Sequence, residues 1–224
     1  MKVHVTPKMF FGNYFCILKE RHSAFVCISK NGCTFLKSIS IYNKTGLLIE
    51  EERQIHDYVG YSPSNGFLIP VESMPAYEKE NGTVLKFAVW RDPVERLIST
   101  YKWFILEGNW NHYFHRLDLY KDNDFNRFLE FVKFELGKST PENQDEHIRK
   151  QCAYYIPDNI DVIVPMKRLD VFLAHNQLPV LKKKNQSGKY HFSITTEQAE
   201  MIRILYKDDY QFIENNKHLL FECF

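Results

Sequence analysis

The chain has 224 residues, 44% of them hydrophobic and 15% aromatic, enough to bury a sizeable core, and we read it as a single domain over residues 1–224. Its 29 Lys and Arg nearly balance its 28 Asp and Glu, and the formal charge of +1 excludes a bulk electrostatic drive toward nucleic acid or a membrane surface. Any anion site must therefore be local.

Five cysteines (Cys16, Cys27, Cys33, Cys152 and Cys223) are scattered without C-x-x-C spacing. That pattern favours reduced thiols in a cytosol-like compartment over a disulfide framework or a zinc site. The opening "MKVHVTPKMFFGNYFCILKERHS" holds no apolar run near the roughly 20 residues of a membrane helix, and no signal-peptide layout. The expectation is a soluble cytoplasmic protein without integral membrane association.

Three segments share one grammar: "AFVCIS" (Ala24 to Ser29), "VLKFAVW" (Val84 to Trp90) and "DVIVPM" (Asp161 to Met166) are short apolar runs, each followed by a polar corner and a helical pattern. Strands apolar on both faces and alternating with helices predict an α/β fold with a mainly parallel sheet covered on both sides. Ligands of such folds bind at the carboxyl ends of the strands, so the three corners are the places to search.

The first corner, "SKNGCT", places Ser29 at the strand end, Lys30, Asn31, Gly32 and Cys33 in the turn, and Thr34 at the start of a helix. A helix amino terminus offers free N–H groups and a positive dipole end, which suits a phosphate. Gly32 permits close approach, Lys30 adds charge and Thr34 a hydroxyl; an exposed lysine on a glycine turn is the plain alternative. The loop is not GxxxxGK[ST], so the magnesium-holding Ser or Thr after the lysine is missing.

In the second corner, "RDPVERLISTYKWFI", Arg91 leaves the strand, Asp92 can cap, Pro93 fits the first helical position, and Glu95 completes a capping-box spacing. Val94, Leu97, Ile98, Tyr101, Phe104 and Ile105 form one apolar stripe, expected to pack on the sheet. Arg96, Ser99, Thr100 and Trp103 fall off it, and Ser99, about two turns along, is able to face the crevice beside Arg91.

The two corners, in this order, resemble the sulfotransferases that use 3'-phosphoadenosine 5'-phosphosulfate (PAPS), and are most similar to the carbohydrate branch, with loops like K-x-G-C-T and R-[DE]-P-x-x-R-L-x-S-x-Y. The resemblance implies a P-loop-like three-layer αβα fold. It also implies that Lys30, Asn31, Gly32, Cys33 and Thr34 cradle the 5'-phosphosulfate, and that Arg91 and Ser99 grip the 3'-phosphate. Arg96 would contact the cofactor or stabilise the fold. Further on, "ENQDEHIRKQCAYY" is similar to a family stretch with an acidic-x-His followed by Gln and Cys, "DVIVPMKRLDVFL" to its next strand and helix, and "LYKDDYQFI" to a closing Y-x-x-D-[FY] helix. Where the family often reads H-W-x-P-Q, this chain reads "HIRKQ".

Sulfuryl transfer needs an in-line acceptor hydroxyl, a base, and positive charge over the departing phosphate oxygen. Lys30 and the helix amino terminus supply the charge. His147 is the expected base, with Glu142, Asp145 and Glu146 as alternatives. If the segment is helical, Gln151 at i+4 shares its face and orients the acceptor. No metal is expected: His112 and His115 lack further ligands and, with Trp103, Phe104, Trp110, Tyr113 and Phe114, suit an aromatic acceptor wall or simple packing. The run "LKKKNQSGKY" suits a solvated loop, or a lid in which Ser187 or Lys189 reaches the 3'-phosphate.

The acceptor implied by the resemblance is a carbohydrate hydroxyl, with a sterol or other lipid as a further candidate. A phosphotransferase with an atypical phosphate loop and a non-catalytic nucleotide-binding module are the alternatives from other classes.

Overall fold

The computed structural model describes residues 14–20, 22–60, 65–109, 124–154, 159–179, 181 and 190–222. Five strands form one sheet: β1 (Tyr14–Lys19), β2 (Ser23–Val26), β3 (Leu68–Pro70), β4 (Leu85–Trp90) and β5 (Val162–Pro165), in the order β3-β1-β2-β4-β5. β2, β4 and β5 run parallel, with Phe25 opposite Phe87 and Ala88 opposite Ile163. β1 pairs antiparallel with both β2 and β3. The three expected strands thus form the parallel part, and an antiparallel margin, which the corner grammar could not reveal, is added at one side.

The strand sequences explain why the sheet is covered twice. Side chains alternate faces along a strand. Cys16, Leu18, Phe25, Phe87, Val89 and Val164 enter one core with α1 (Cys33–Thr45), α2 (Glu52–Val59) and α6 (Leu169–His175). Phe15, Ile17, Ala24, Val26, Ala88 and Ile163 enter another, with Met74 of α3 (Met74–Asn81) and Phe212 and Ile213 of α8 (Lys207–Asn215). The fold is α/β, with parallel central strands between helical layers, as expected from the sequence.

The helix after β4 departs from expectation in its packing. In α4 (Pro93–Tyr101) Asp92 does cap, its Oδ1 accepting from the N–H groups of Val94 at 2.9 Å and Glu95 at 3.2 Å. Glu95 does not close the box; its carboxylate pairs with exposed Lys167 at 2.8 Å. The apolar stripe turns away from the sheet: Leu97, Tyr101, Phe104 and Ile105 form a third cluster with α5 (Phe125–Leu136) and α7 (Thr196–Leu205). Arg96, Ser99 and Thr100 on the other side are buried as well, so α4 is enclosed and its polar residues are interior groups.

Candidate active site

The loop between β2 and α1 is wound tightly. Lys30 has φ of 67° and Gly32 of 77°, both left-handed. The value at Gly32 favours glycine, and a Cβ there would also stand 3.3 Å from Met166 Cε of the third corner. Asn31 is buried, and its Nδ2 donates to the Val89 carbonyl at 2.6 Å and to Gln151 Oε1 at 2.5 Å. Both amide hydrogens are therefore spent on holding the loop against the end of β4. The side chain expected to cradle a phosphate is a brace, and the Asn31 backbone N–H is committed too, donating to the Ile28 carbonyl at 3.1 Å.

Cations converge on this loop. Lys30 Nζ lies 4.9 Å from the ring centre of Trp103 and 5.9 Å from that of Phe104, both on a π-helical turn, Lys102–Leu106, that extends α4. Burial lowers the Lys30 pKa to about 8; the carboxylate of Glu52 opposes that shift and the guanidinium of Arg91 adds to it. Arg91 Nη1 donates to the Lys30 carbonyl at 2.9 Å, so the arginine expected at the 3'-phosphate and the loop expected at the phosphosulfate are in direct contact. Burial lowers the Arg91 pKa also, with Glu95 opposing and Arg96 adding to the shift. Ser99 is buried on α4, two turns beyond that corner.

Arg96 is 2% exposed and spends its guanidinium on backbone carbonyls: Nε to Ser29 at 3.0 Å, Nη1 to Arg149 at 2.8 Å and Nη2 to Glu146 at 3.0 Å. Of the two roles open to it in the sequence, the fold-stabilising one is the role its geometry supports. It ties the first loop to the segment bearing His147.

That segment is not a helix. Residues 145–150 form turns, and Gln151–Ala153 is a single 3-10 turn, so the i+4 relation between His147 and Gln151 does not hold. Gln151 is 0% exposed, its Oε1 accepting from Arg91 N at 3.2 Å and from Asn31, and its Nε2 donating to the Arg91 carbonyl at 2.8 Å. The proposed acceptor-orienting amide is instead consumed by the backbone of the second corner, a correction that follows from its burial.

His147 is set differently. Its Nδ1 is 3.0 Å from Asp145 Oδ1, which also accepts the His147 backbone N–H at 2.9 Å, and its ring meets Phe104 edge-on with centres 4.6 Å apart. With Nδ1–H directed at the carboxylate, Nε2 keeps its lone pair. Burial lowers the His147 pKa, but Asp145 and then Glu146 outweigh it and the net shift is upward; Lys30 acts in the opposite sense. Phe104 is therefore a common neighbour of Lys30 and His147. Asp145 is the partner of the imidazole, while Glu146 Oε1 lies 3.9 Å from Nε2.

The closing motif braces the same corners. Tyr206 Oη donates to the Ile148 carbonyl at 2.6 Å, Asp209 accepts from Gln151 N at 3.1 Å and Cys152 N at 2.8 Å, and Tyr210 Oη donates to Asp92 Oδ2 at 3.0 Å. Sequence reasoning missed Lys37, Glu52 and His56, which surround Thr34. Thr34 Oγ1 donates to Glu52 Oε1 at 3.2 Å and lies 3.1 Å from His56 Nε2. Only the strongly amphipathic pattern of "ERQIHDYV", with Ile55 and Val59 inward, hinted that this helix would lean on the loop. His112 and His115 with Trp110, Tyr113 and Phe114, and the run Lys182 to Lys189 with Ser187, lie outside the described residues.

A model of the sulfotransferase family matches residues 13–160, which include the loop, the Arg91 corner and the His147 segment. The chain belongs to the sulfotransferase family. That membership makes it a transferase of sulfuryl groups in general terms. No curated protein and no solved structure matches the chain.

The geometry separates the two arginines experimentally. Arg96→Ala should cost about 3 kcal/mol or more of unfolding free energy, because one buried and two part-buried carbonyls lose a charged donor. Arg91→Ala, which removes one side-chain bond to a loop carbonyl, should cost about 1 kcal/mol. Urea denaturation of the two variants checks the contrast, and equal losses would contradict it.

Proposed function

We propose that the chain transfers a sulfuryl group from PAPS to a hydroxyl of a carbohydrate, a sterol or other lipid being the second class of acceptor. The observation that carries this reading is the convergence of Lys30, Arg91 and the head of α1 on a left-handed loop, with an Asp-oriented imidazole across Phe104. Cations whose pKa values burial and a neighbouring cation lower, Arg91 beside Lys30 and Arg96 beside Arg91, gain most from an anionic ligand among them. The residues thus fit a bisphosphorylated nucleotide: the loop amides and Lys30 suit the 5'-phosphosulfate, and Arg91, with Ser99 farther along α4, suits the 3'-phosphate.

In the proposed reaction the acceptor oxygen forms a bond to sulfur as the bond from sulfur to the bridging phosphate oxygen breaks. His147 Nε2 takes the hydroxyl proton, and the electron pair left on the 5'-phosphate is stabilised by Lys30 and the α1 amino terminus. Asp145 positions the ring and raises its basicity. Trp103 and Phe104 offer flat surfaces against which an acceptor ring can lie. No helix among the described residues is long and apolar enough to cross a membrane, and we propose a cytoplasmic setting. No group of three or more His, Cys, Asp or Glu that could hold a metal ion is found among the described residues.

Incubation with sulfur-labelled PAPS and a panel of glycans and sterols should yield labelled acceptor, and Lys30→Ala and His147→Ala should each lower the rate by about a hundredfold. Tight binding of adenosine triphosphate with none of 3'-phosphoadenosine 5'-phosphate would favour a phosphotransferase instead. Binding of the bisphosphate without transfer to any acceptor would favour a nucleotide-binding module.

The lowered Lys30 pKa gives a signed expectation. Below about pH 8 the ammonium is already charged and affinity for 3'-phosphoadenosine 5'-phosphate should be flat with respect to this group. Above it, binding must take up a proton, so affinity should fall by up to about tenfold per pH unit. Calorimetry at rising pH should show this limb in the wild type and lose it in Lys30→Ala.

For His147 the sign is the reverse of a burial effect. Its raised pKa means the base is lost as pH falls through a value above 6.5. Asp145→Asn removes the opposing carboxylate, lets burial prevail, and should move the acidic limb of kcat/KM to lower pH. An unmoved limb would assign the base to another group.

A further inference from the structure

A polar cluster beside the phosphosulfate loop has no part in the reaction as written above. Lys37 of α1 is 6% exposed, and its Nζ is 3.2 Å from His56 Nδ1. His56 Nε2 is 3.1 Å from Thr34 Oγ1, and Thr34 Oγ1 is 3.2 Å from Glu52 Oε1. The chemistry of the donors fixes the direction of this chain. An ammonium only donates, so His56 Nδ1 is the acceptor and Nε2 carries the proton. Nε2–H then donates to the Thr34 oxygen, and the Thr34 proton goes to the carboxylate, which only accepts. Burial first, then Lys37 and His147, hold the His56 pKa down to about 4, so the ring is neutral near pH 7 and its Nδ1 stays open to the ammonium.

We infer that His56 is a positioning residue for nucleotide binding, holding the Thr34 oxygen through Nε2–H so that the Thr34 hydroxyl passes its hydrogen bond from Glu52 to a 5'-phosphate oxygen. The inference rests on reading the loop as the phosphosulfate site. No covalent bond changes in this exchange. One lone pair of the Thr34 oxygen is held by the imidazole, and the O–H alone swings. Without the imidazole the hydroxyl has Glu52 as a strong, charged acceptor and nothing to orient it toward the loop. α2 thereby contributes to nucleotide affinity through a side chain that need not touch the ligand, and the arrival of phosphate alters the hydrogen bonding of Glu52.

Calorimetric titration of the full chain with 3'-phosphoadenosine 5'-phosphate tests this by a double-mutant cycle. His56→Ala should weaken binding about tenfold, and in a Thr34→Val background the same change should have little further effect. His56→Gln, whose amide can donate to Thr34, should recover most of the loss. Equal losses in both backgrounds would show a merely structural role for α2 and overturn the inference, as would unchanged affinity in His56→Ala. Should His56→Ala fail to fold, long-range nitrogen–proton NMR of the wild type decides: an Nε2–H tautomer is required, and an Nδ1–H tautomer overturns the inference. Wild-type protein that does not bind the bisphosphate at all would sink the PAPS reading itself, whereas tight binding with a failed cycle sinks only the role of His56.

Discussion

The site depends on one buried guanidinium. Arg96 donates to carbonyls at Ser29, Glu146 and Arg149, and so joins the end of β2, the helix after β4 and the turn that carries His147. Because its partners are carbonyl dipoles and not carboxylates, its charge is solvated without being cancelled. The effect reaches outward: Arg96 lowers the pKa of Arg91 and opposes the upward shift at Asp209, Tyr154 and Tyr206. A lysine could not replace it, since a compact ammonium lacks the planar fork that spans three separate chain segments. The same residue therefore gives the corner both its shape and part of its positive potential.

Around that centre the polar groups form a network in which each member uses another's backbone. Gln151 brackets Arg91, Asn31 bridges Val89 and Gln151, and Asp209 holds the amides of Gln151 and Cys152. Buried networks of this kind are costly when incomplete and rigid when satisfied. Tyr206, Asp209 and Tyr210 lie beyond the residues matched by the family model, yet they fasten the turn at Ile148 and the cap at Asp92. The carboxyl-terminal helices thus help to position the candidate site.

What was legible in the sequence was local. Asp92 and Pro93 start a helix by rules that act within four residues, and the alternating apolar strands show both sheet faces, so the α/β architecture and the corners could be read directly. What was not legible depended on contacts between distant segments. Gln151 was given an acceptor role from an i+4 spacing that presumes a helix; the segment is turned, and its amide is 60 residues away in sequence from the backbone it holds. The stripe on α4 had the right periodicity but no way to say which of two apolar partners it would meet. His56 carries no motif, and only the packing of α2 on α1 brings it to Thr34.

The near-neutral composition is reconciled with a candidate anion site by where the charges lie. Arg96 is buried and Lys30 and Arg91 are partly so, and there a cation interacts more strongly with its neighbours than it does at the surface. Burial alone would drive Lys30 toward its neutral form, but Glu52 and Glu107 oppose the shift, and Nζ lies over the rings of Trp103 and Phe104, whose faces attract a cation. His147, across Phe104, has the opposite problem, since burial would leave it a weak base and Asp145 restores its basicity. For the proposed in-line transfer Lys30 would be the cation kept charged at the leaving-group side and His147 the imidazole kept basic at the acceptor side, and for each a neighbouring carboxylate opposes the effect of burial.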